Sequence, residues 1–246
     1  LSEEKVQGVF AVKNPNFNGT NKSLNTRIES SETDRLKNFG YKSTKTGFIV
    51  GTTYEQYQDT FLTGSVSSFY ENLTTDTSAS SSLQRQKGDS FATDILYGID
   101  YDKRNQTFQP TSGFRSRFNQ SLPIINDTLK LQNTYEFNYF KELPKDMIGT
   151  FSLYGSAVTS LNNKDVKISD RLYLSSRKLR GFEQGKIGPV DGTDYVGGNY
   201  ATAMNIATTI PQLFPSLESI DFSLFYDAAN VWGVDYNNLL SDSNVF

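Results

Sequence analysis

A chain of 246 residues with neither cysteine nor histidine has no disulfide framework, thiol nucleophile, imidazole general base or Cys/His metal site. Its 27 acidic and 24 basic residues leave a net charge of −3 without a long single-sign block, which gives no footing for a nucleic-acid surface. Hydrophobic residues make up only 36% while aromatics reach 13%, with 18 Phe and 14 Tyr against one Trp. That is thin for a soluble core, and no stretch approaches the roughly 18 apolar residues of a spanning helix. The start, Leu1-Ser2-Glu3-Glu4, lacks the basic and apolar regions of a signal peptide, so a mature chain or a piece of a longer one is expected.

Alternation of period two organises the chain, because successive side chains of a strand point to opposite faces. Strands are expected near 4–12, 22–32, 44–54, 60–72, 90–103, 113–122, 129–142, 147–160, 200–211 and 220–233. Early in the chain Leu24, Thr26 and Ile28 oppose Asn25, Arg27 and Glu29. Phe91, Ile95, Tyr97, Ile99 and Tyr101 then oppose Asp94, Gly98, Asp100 and Asp102. Phe114, Ser116 and Phe118 oppose Arg115, Arg117 and Asn119. The clearest case sets Leu129, Leu131, Tyr135, Phe137 and Tyr139 against Lys130, Gln132, Thr134, Glu136 and Asn138. Near the end Ile220, Phe222, Leu224 and Tyr226 oppose Asp221, Ser223, Phe225 and Asp227.

Short turns at 14–19 and 143–146 alternate with long polar loops at 74–89 and 161–199, the first of them Ser/Thr-rich and expected to move. These strands exceed the usual length of about 5–6 residues. Aromatics near strand ends, such as Tyr54, Tyr70, Tyr101 and Tyr139, suit interfacial girdles. The pattern is that of an all-β, antiparallel transmembrane β-barrel, closed because an open edge in lipid leaves backbone groups unpaired. A soluble sandwich, with two apolar faces meeting, is the alternative. Asp100 and Asp102, beside Lys103 and Arg104, could form a glycosidase-like carboxylate pair, but charge on the wet face of a barrel accounts for them more simply.

The most informative segment lies inside the 161–199 loop, far longer than the usual hairpin connection of about 2–5 residues. It contains Lys178-Leu179-Arg180-Gly181-Phe182, then Gln184 to Pro189 with Ile187-Gly188-Pro189, then Val196-Gly197-Gly198-Asn199. Further on stands Tyr226-Asp227-Ala228-Ala229-Asn230-Val231-Trp232, and upstream Asp102-Lys103-Arg104 leads to Phe108-Gln109-Pro110-Thr111-Ser112-Gly113. In order and spacing these segments resemble the BamA superfamily of outer-membrane barrels, the bacterial surface antigen family. Leu179 to Phe182 is similar to its (Val/Ile)-Arg-Gly-Phe loop motif, and Val196 to Asn199 to the point where that loop re-enters the barrel. Ala229 stands where the family's aromatic-Asp-x-Gly-x-Val-Trp pattern has glycine.

The resemblance implies a sixteen-stranded barrel preceded by periplasmic POTRA domains. On that pattern residues 1–246 are a partial barrel with no POTRA domain, its fourth through thirteenth strands, and the seam strands lie outside the chain. It also implies that the loop folds into the lumen, where Arg180 meets an acid on a neighbouring strand. Strand parity nominates Asp227; Gly181 would let the backbone turn or approach closely, and Phe182 would supply the packing anchor. Many family members carry a further acid where this chain has Ala207, so Arg180 is expected to have one acidic partner fewer. The implied function is insertion of β-barrel proteins into the bacterial outer membrane, without enzymatic activity, cofactor or metal. The implied partners are unfolded client proteins, assembly lipoproteins and membrane lipid, with no nucleic acid. A TamA-like factor or a two-partner secretion translocator is the alternative, then a passive porin, then a soluble sandwich adhesin.

Overall fold

The computed structural model describes residues 4–210, 222–237 and 240. Ten strands form one antiparallel sheet, each paired with the next: β1 (Glu4–Asn14), β2 (Ser23–Arg35), β3 (Tyr41–Tyr57), β4 (Thr60–Thr75), β5 (Gly88–Asp102), β6 (Gly113–Asn126), β7 (Lys130–Glu142), β8 (Ile148–Ser160), β11 (Tyr200–Ile210) and β12 (Phe222–Trp232). Between β8 and β11 runs the 161–199 loop, with its own small hairpin of β9 (Val190–Asp191) and β10 (Asp194–Tyr195). Every expected strand is present. β3 and β4 run longer than expected because Tyr41 pairs with Thr75 and Lys42 with Thr74. Residues 211, 220 and 221 of the last two expected strands lie outside the described residues.

The register keeps apolar side chains on one face across the whole sheet. Phe10 faces Ile28, Ile28 faces Phe48, Val50 faces Val66, Val66 faces Ile95, and Ile99 faces Phe118. These residues are largely solvent-exposed, as are Leu153, Ile206 and Leu224 further along. The opposite face is polar, and on it Ser43, Ser67, Glu71 and Ser156 are buried. The sheet is inside out relative to a soluble domain, whose large apolar groups are withdrawn from the surface. Among the described residues no second sheet covers the apolar face, which removes the sandwich.

Among the described residues, apolar burial falls in two clusters made with loops. In the first, Leu172, Leu174, Leu179 and Ile187 of the long loop pack on Val158, Ala201, Ala203, Ala229 and Val231, which point inward from β8, β11 and β12. The second joins Phe39 and Tyr41 at the β2–β3 turn, Leu73, Ala79 and Leu83 around the β4–β5 connection, Ile168 and Val196 of the long loop, and Val234 beyond β12. It caps the end of the sheet where the long loops emerge.

The Ser/Thr-rich connection after β4, expected to move, carries ordered local structure. It folds into a helical turn (Ser81–Gln84), whose preceding Ser80 hydroxyl accepts from the Leu83 amide and whose Leu83 is fully buried. The Gln86 side-chain oxygen accepts from the Ile168 amide at 2.7 Å, tying this loop to the next. Leu83→Ala is expected to destabilise the protein by about 2–5 kcal/mol, the range for emptying a buried leucine site. Unfolding measurements, with limited proteolysis of 76–87, check this.

Candidate functional site: the anchor of the lumen loop

The long loop begins and ends on the same part of the inner wall. Leu172 and Gly198 form a two-way backbone bridge, with N–H···O distances of 2.8 and 3.0 Å. The Asn199 amide donates to Gly233 O and the Asn199 carbonyl accepts from the Val158 amide, both at 2.8 Å. Val196-Gly197-Gly198-Asn199 thus stitches the loop to itself, to β8 and to the end of β12. Within it, the Val196 amide donates to Pro189 O at 3.1 Å beside the β9–β10 hairpin. Gly188 has φ +110°, and a Cβ there would lie 2.9 Å from Val231 Cβ, so a side chain would push the loop off β12.

Arg180 reaches Asp227 as expected, by three routes. Its backbone amide donates to Oδ2 at 3.0 Å, its Nε to Oδ2 at 2.8 Å and its Nη2 to Oδ1 at 2.6 Å. Asn205 Nδ2 adds a fourth bond to Oδ1 at 2.9 Å and also donates to the Lys178 carbonyl at 2.8 Å. The carboxylate thereby accepts at about as many sites as it has lone pairs. The Asp227 side chain is only 3% exposed and that of Arg180 33%. The guanidinium carbon also sits 3.7 Å from the centre of the Phe225 ring, so the planar fork is used on its edge and on its face. The hydrogen bond to Asp227 raises the guanidinium pKa further.

Other expectations for this motif need revision. Phe182 is not the packing anchor: it is 43% exposed, whereas Leu179 and Ile187 are buried in the first cluster. Apolar contact with β11 and β12 favours the side chains that turn toward the wall, and Gly181, at φ +83° with open space where a Cβ would stand, turns the chain away after Arg180. Gly181 serves the turn and not a close approach. Ala207 pairs with Phe225, while Asn205 pairs with Asp227, so the residue of β11 that completes the site is an amide two positions earlier. Lys178 has its own partner, Glu136 of β7 at 2.8 Å, and lies 4.3 Å from the Tyr154 ring centre.

A second anchor was not apparent in the sequence. Asp170, in the 3-10 turn Ile168–Asp170, meets Lys130 of β7 at 2.5 Å and Lys45 of β3 at 3.5 Å. Lys45 also lies 3.4 Å from Glu71, which accepts from the hydroxyls of Ser43 and Ser169 at 2.5 and 3.1 Å. Burial pushes the Asp170 carboxyl up, but Lys130 and Lys45 outweigh it and hold it well below the usual carboxylate range. This network lines a cavity of about 790 Å³ against the inner wall. Next to it, the fully buried Arg171 side chain donates to Asp235 at 2.7 Å and to Val166 O at 3.2 Å. The available signal was the charge at inward-facing positions 45, 71 and 130, which strand parity marks but cannot pair.

Asp100 and Asp102 do not form an acid/base pair. Asp100 accepts from Arg115 Nε at 2.8 Å and from Arg117 Nη2 at 3.0 Å, and Asp102 accepts from Arg104 Nε and Nη2 at 2.8 and 2.6 Å. Both carboxylates are held by arginines as part of the polar wall.

An antiparallel sheet that is apolar on one face and polar on the other, with a long loop tied by arginine to the polar face, has the pattern of a membrane β-barrel. The chain belongs to the Omp85 superfamily: the family model described as Omp85 superfamily domain matches residues 1–245. The fold is of the BamA type. The crystal structure of BamA from Haemophilus ducreyi lacking POTRA domains 1-3 superposes with a TM-score of 0.83 at 19% identity, over 93% of this chain and 50% of that one. Among curated proteins, the Sorting and assembly machinery component 50 homolog of Bos taurus is 28% identical over 138 residues, 54% of this chain and 29% of that protein. A SAM50-like protein of Schizosaccharomyces pombe is 31% identical over 140 residues, 54% of this chain and 30% of its own length. Outer membrane protein assembly factor BamA of Neorickettsia risticii is 24% identical over 162 residues, 64% of this chain and 22% of that protein. The chain spans less than a third of the length of these curated relatives.

Arg180→Ala and Asp227→Ala should each loosen the loop. A double-mutant cycle should give a coupling of about 1–3 kcal/mol, less than the ~3–5 kcal/mol of breaking a dry buried pair. Strictly additive effects in unfolding experiments would remove the pair from the anchor. For Asp170 the folded-state carboxyl lies below its unfolded value of about 4. Its contribution is therefore full above that pH and is lost as the pH falls toward the folded value. Asp170→Asn should lower stability at neutral pH and converge with the parent as acid is added below about pH 4, as unfolding midpoints across pH will show.

Proposed function

We infer that the chain forms the middle of the barrel of a protein that inserts and folds β-barrel proteins into an outer membrane. The observation that carries this is membership of the Omp85 superfamily, joined to matches with proteins named for sorting and assembly or for outer-membrane protein assembly. The partners on this reading are unfolded barrel clients, accessory subunits of an assembly complex and membrane lipid. The work is binding and templating through backbone complementarity at strand edges, with no covalent chemistry and no cofactor. The role assigned to the Arg180–Asp227 anchor is to hold the loop as a fixed inner surface while the rest of the barrel moves. Support for that role is geometric: Asp227 accepts four bonds, from Arg180 and Asn205.

Two membranes fit this function. The matches to animal and fission-yeast sorting and assembly proteins favour the mitochondrial outer membrane. The Neorickettsia risticii match favours the bacterial outer membrane, where the accessory subunits would be assembly lipoproteins. Co-fractionation of the full-length protein with markers of each membrane separates them.

Depleting the full-length protein from its own cell should leave newly made β-barrel proteins unassembled and protease-sensitive. Re-expression of the parent should restore them, and Arg180→Ala should do so only in part. Normal client assembly with reduced solute permeability would instead favour a passive pore.

A further inference from the structure

Directly after β12 the chain meets the long loop at four consecutive residues. Gly233 turns the backbone at φ +82°, where a Cβ would stand 2.7 Å from the Tyr200 ring, and its carbonyl accepts from the Asn199 amide at 2.8 Å. Val234 is buried in the second apolar cluster with Ile168 and Val196. Asp235 pairs with Arg171, and the Tyr236 hydroxyl donates to Asp191 Oδ2 at 3.0 Å. Residues 233–236 thus hold both limbs of the loop, the early one at 166–171 and the late one at 191–199.

The contact at Arg171 is a closed ring. Asp235 Oδ1 accepts from Arg171 Nη2 at 2.7 Å and its Oδ2 from the Val166 amide at 2.8 Å, while Arg171 Nε donates back to the Val166 carbonyl at 3.2 Å. The Tyr236 ring centre lies 5.0 Å from the guanidinium carbon, so two consecutive residues take the arginine by its edge and by its face. The Arg171 side chain is 0% exposed, against 33% for Arg180. A guanidinium shut away from water that loses its carboxylate is left as an uncompensated charge, which makes the pair hard to open. Asp235 keeps 26% of its side chain exposed, so removing it breaks the ring from outside without emptying the core.

The turn that this ring holds is what makes it more than a local brace. The three residues before Arg171 each reach a different part of the sheet. The Ile168 amide donates to Gln86 in the β4–β5 connection, the Ser169 hydroxyl to Glu71 of β4, and Asp170 meets Lys45 of β3 and Lys130 of β7. Residues 168–171 are therefore a junction, and Arg171 joins it to the chain beyond β12. The bonds of Arg180 go to Asp227 within β12, so one strand grips the loop at two levels, along its length and just past its end.

We propose that residues 233–236 are a strap that keeps the cap at the long-loop end closed, with Arg171 as the positioning residue to which it is fastened. With the strap in place, the junction at 168–171 and the re-entry segment at 196–199 are held in one arrangement. Without it, the cap opens while the Arg180 anchor holds. The chain has no cysteine, so introduced thiols can report each level separately. Val196→Cys in the second cluster and Val158→Cys in the first, both 0% exposed in the parent, are made singly in the full-length protein with any cysteine outside this chain replaced. The rate of labelling by a water-soluble maleimide is then measured in lipid vesicles. Asp235→Ala should speed labelling at residue 196 by about tenfold or more, because a buried thiol reacts through local opening, and leave residue 158 slow. Tyr236→Phe, which removes only the bond to Asp191, should give a smaller increase at 196. Arg180→Ala should act conversely and speed 158 more than 196. Unchanged labelling of 196 in Asp235→Ala overturns the strap. Equal acceleration at 196 and 158 in that variant overturns it as well, since the two levels then open as one.

Discussion

Because this sheet turns most of its apolar side chains outward, what lies against its inner face is held largely by charge and hydrogen bonding. That constraint explains why the inner wall is so densely ionic. Asp227 receives Arg180 and Asn205, Glu136 receives Lys178, and Asp170 reaches back to Lys45 and Lys130. Beside these ionic contacts a local apolar cluster forms where the loop meets the wall, Leu179 and Ile187 packing on the alanines and valines of β8, β11 and β12. Small residues at 201, 203 and 229 leave room for that approach.

The two anchors divide the loop. The network at Asp170 ties its early part toward β3, β4 and β7, and the Arg180 site ties its later part to β11 and β12. The loop thus bridges strands far apart in the sheet, and the cap formed by the second apolar cluster links the same loop to the β2–β3 and β4–β5 connections. The interior is braced as one body. In a protein proposed to handle client strands, a rigid interior confines the moving parts to other regions of the barrel.

Strand content and facing were legible in the sequence because a period of two depends on each residue's own position. It placed Asp227 and Phe225 on the inner face, and both meet Arg180 there. Pairings across the lumen were not legible, since Lys178 and Glu136 are 42 residues apart and Lys45 and Asp170 are 125 apart. No local rule connects them. Asn205 was hidden for a different reason: the missing acid at Ala207 points to charge, whereas an amide two positions earlier supplies the donor. The size of Phe182 suggested an anchor, yet the packing goes to the aliphatic residues that face the wall. Composition pointed elsewhere for the β4–β5 loop, where Ala79 and Leu83, on either side of the Ser80 cap, are both buried.

The unbroken pairing of ten strands also bears on how the protein reaches its membrane in the right form. With one face for lipid and the other for water, a slip of a single residue between neighbouring strands exchanges the two faces of everything beyond it. Such a slip on β4 would carry Glu71 outward into hydrocarbon and draw Val66 and Tyr70 inward, and on β7 it would expel Lys130 and Glu136 together. Ionisable groups are poorly tolerated there. Misaligned sheets are thus penalised by the bilayer itself, which makes the lipid a check on strand register.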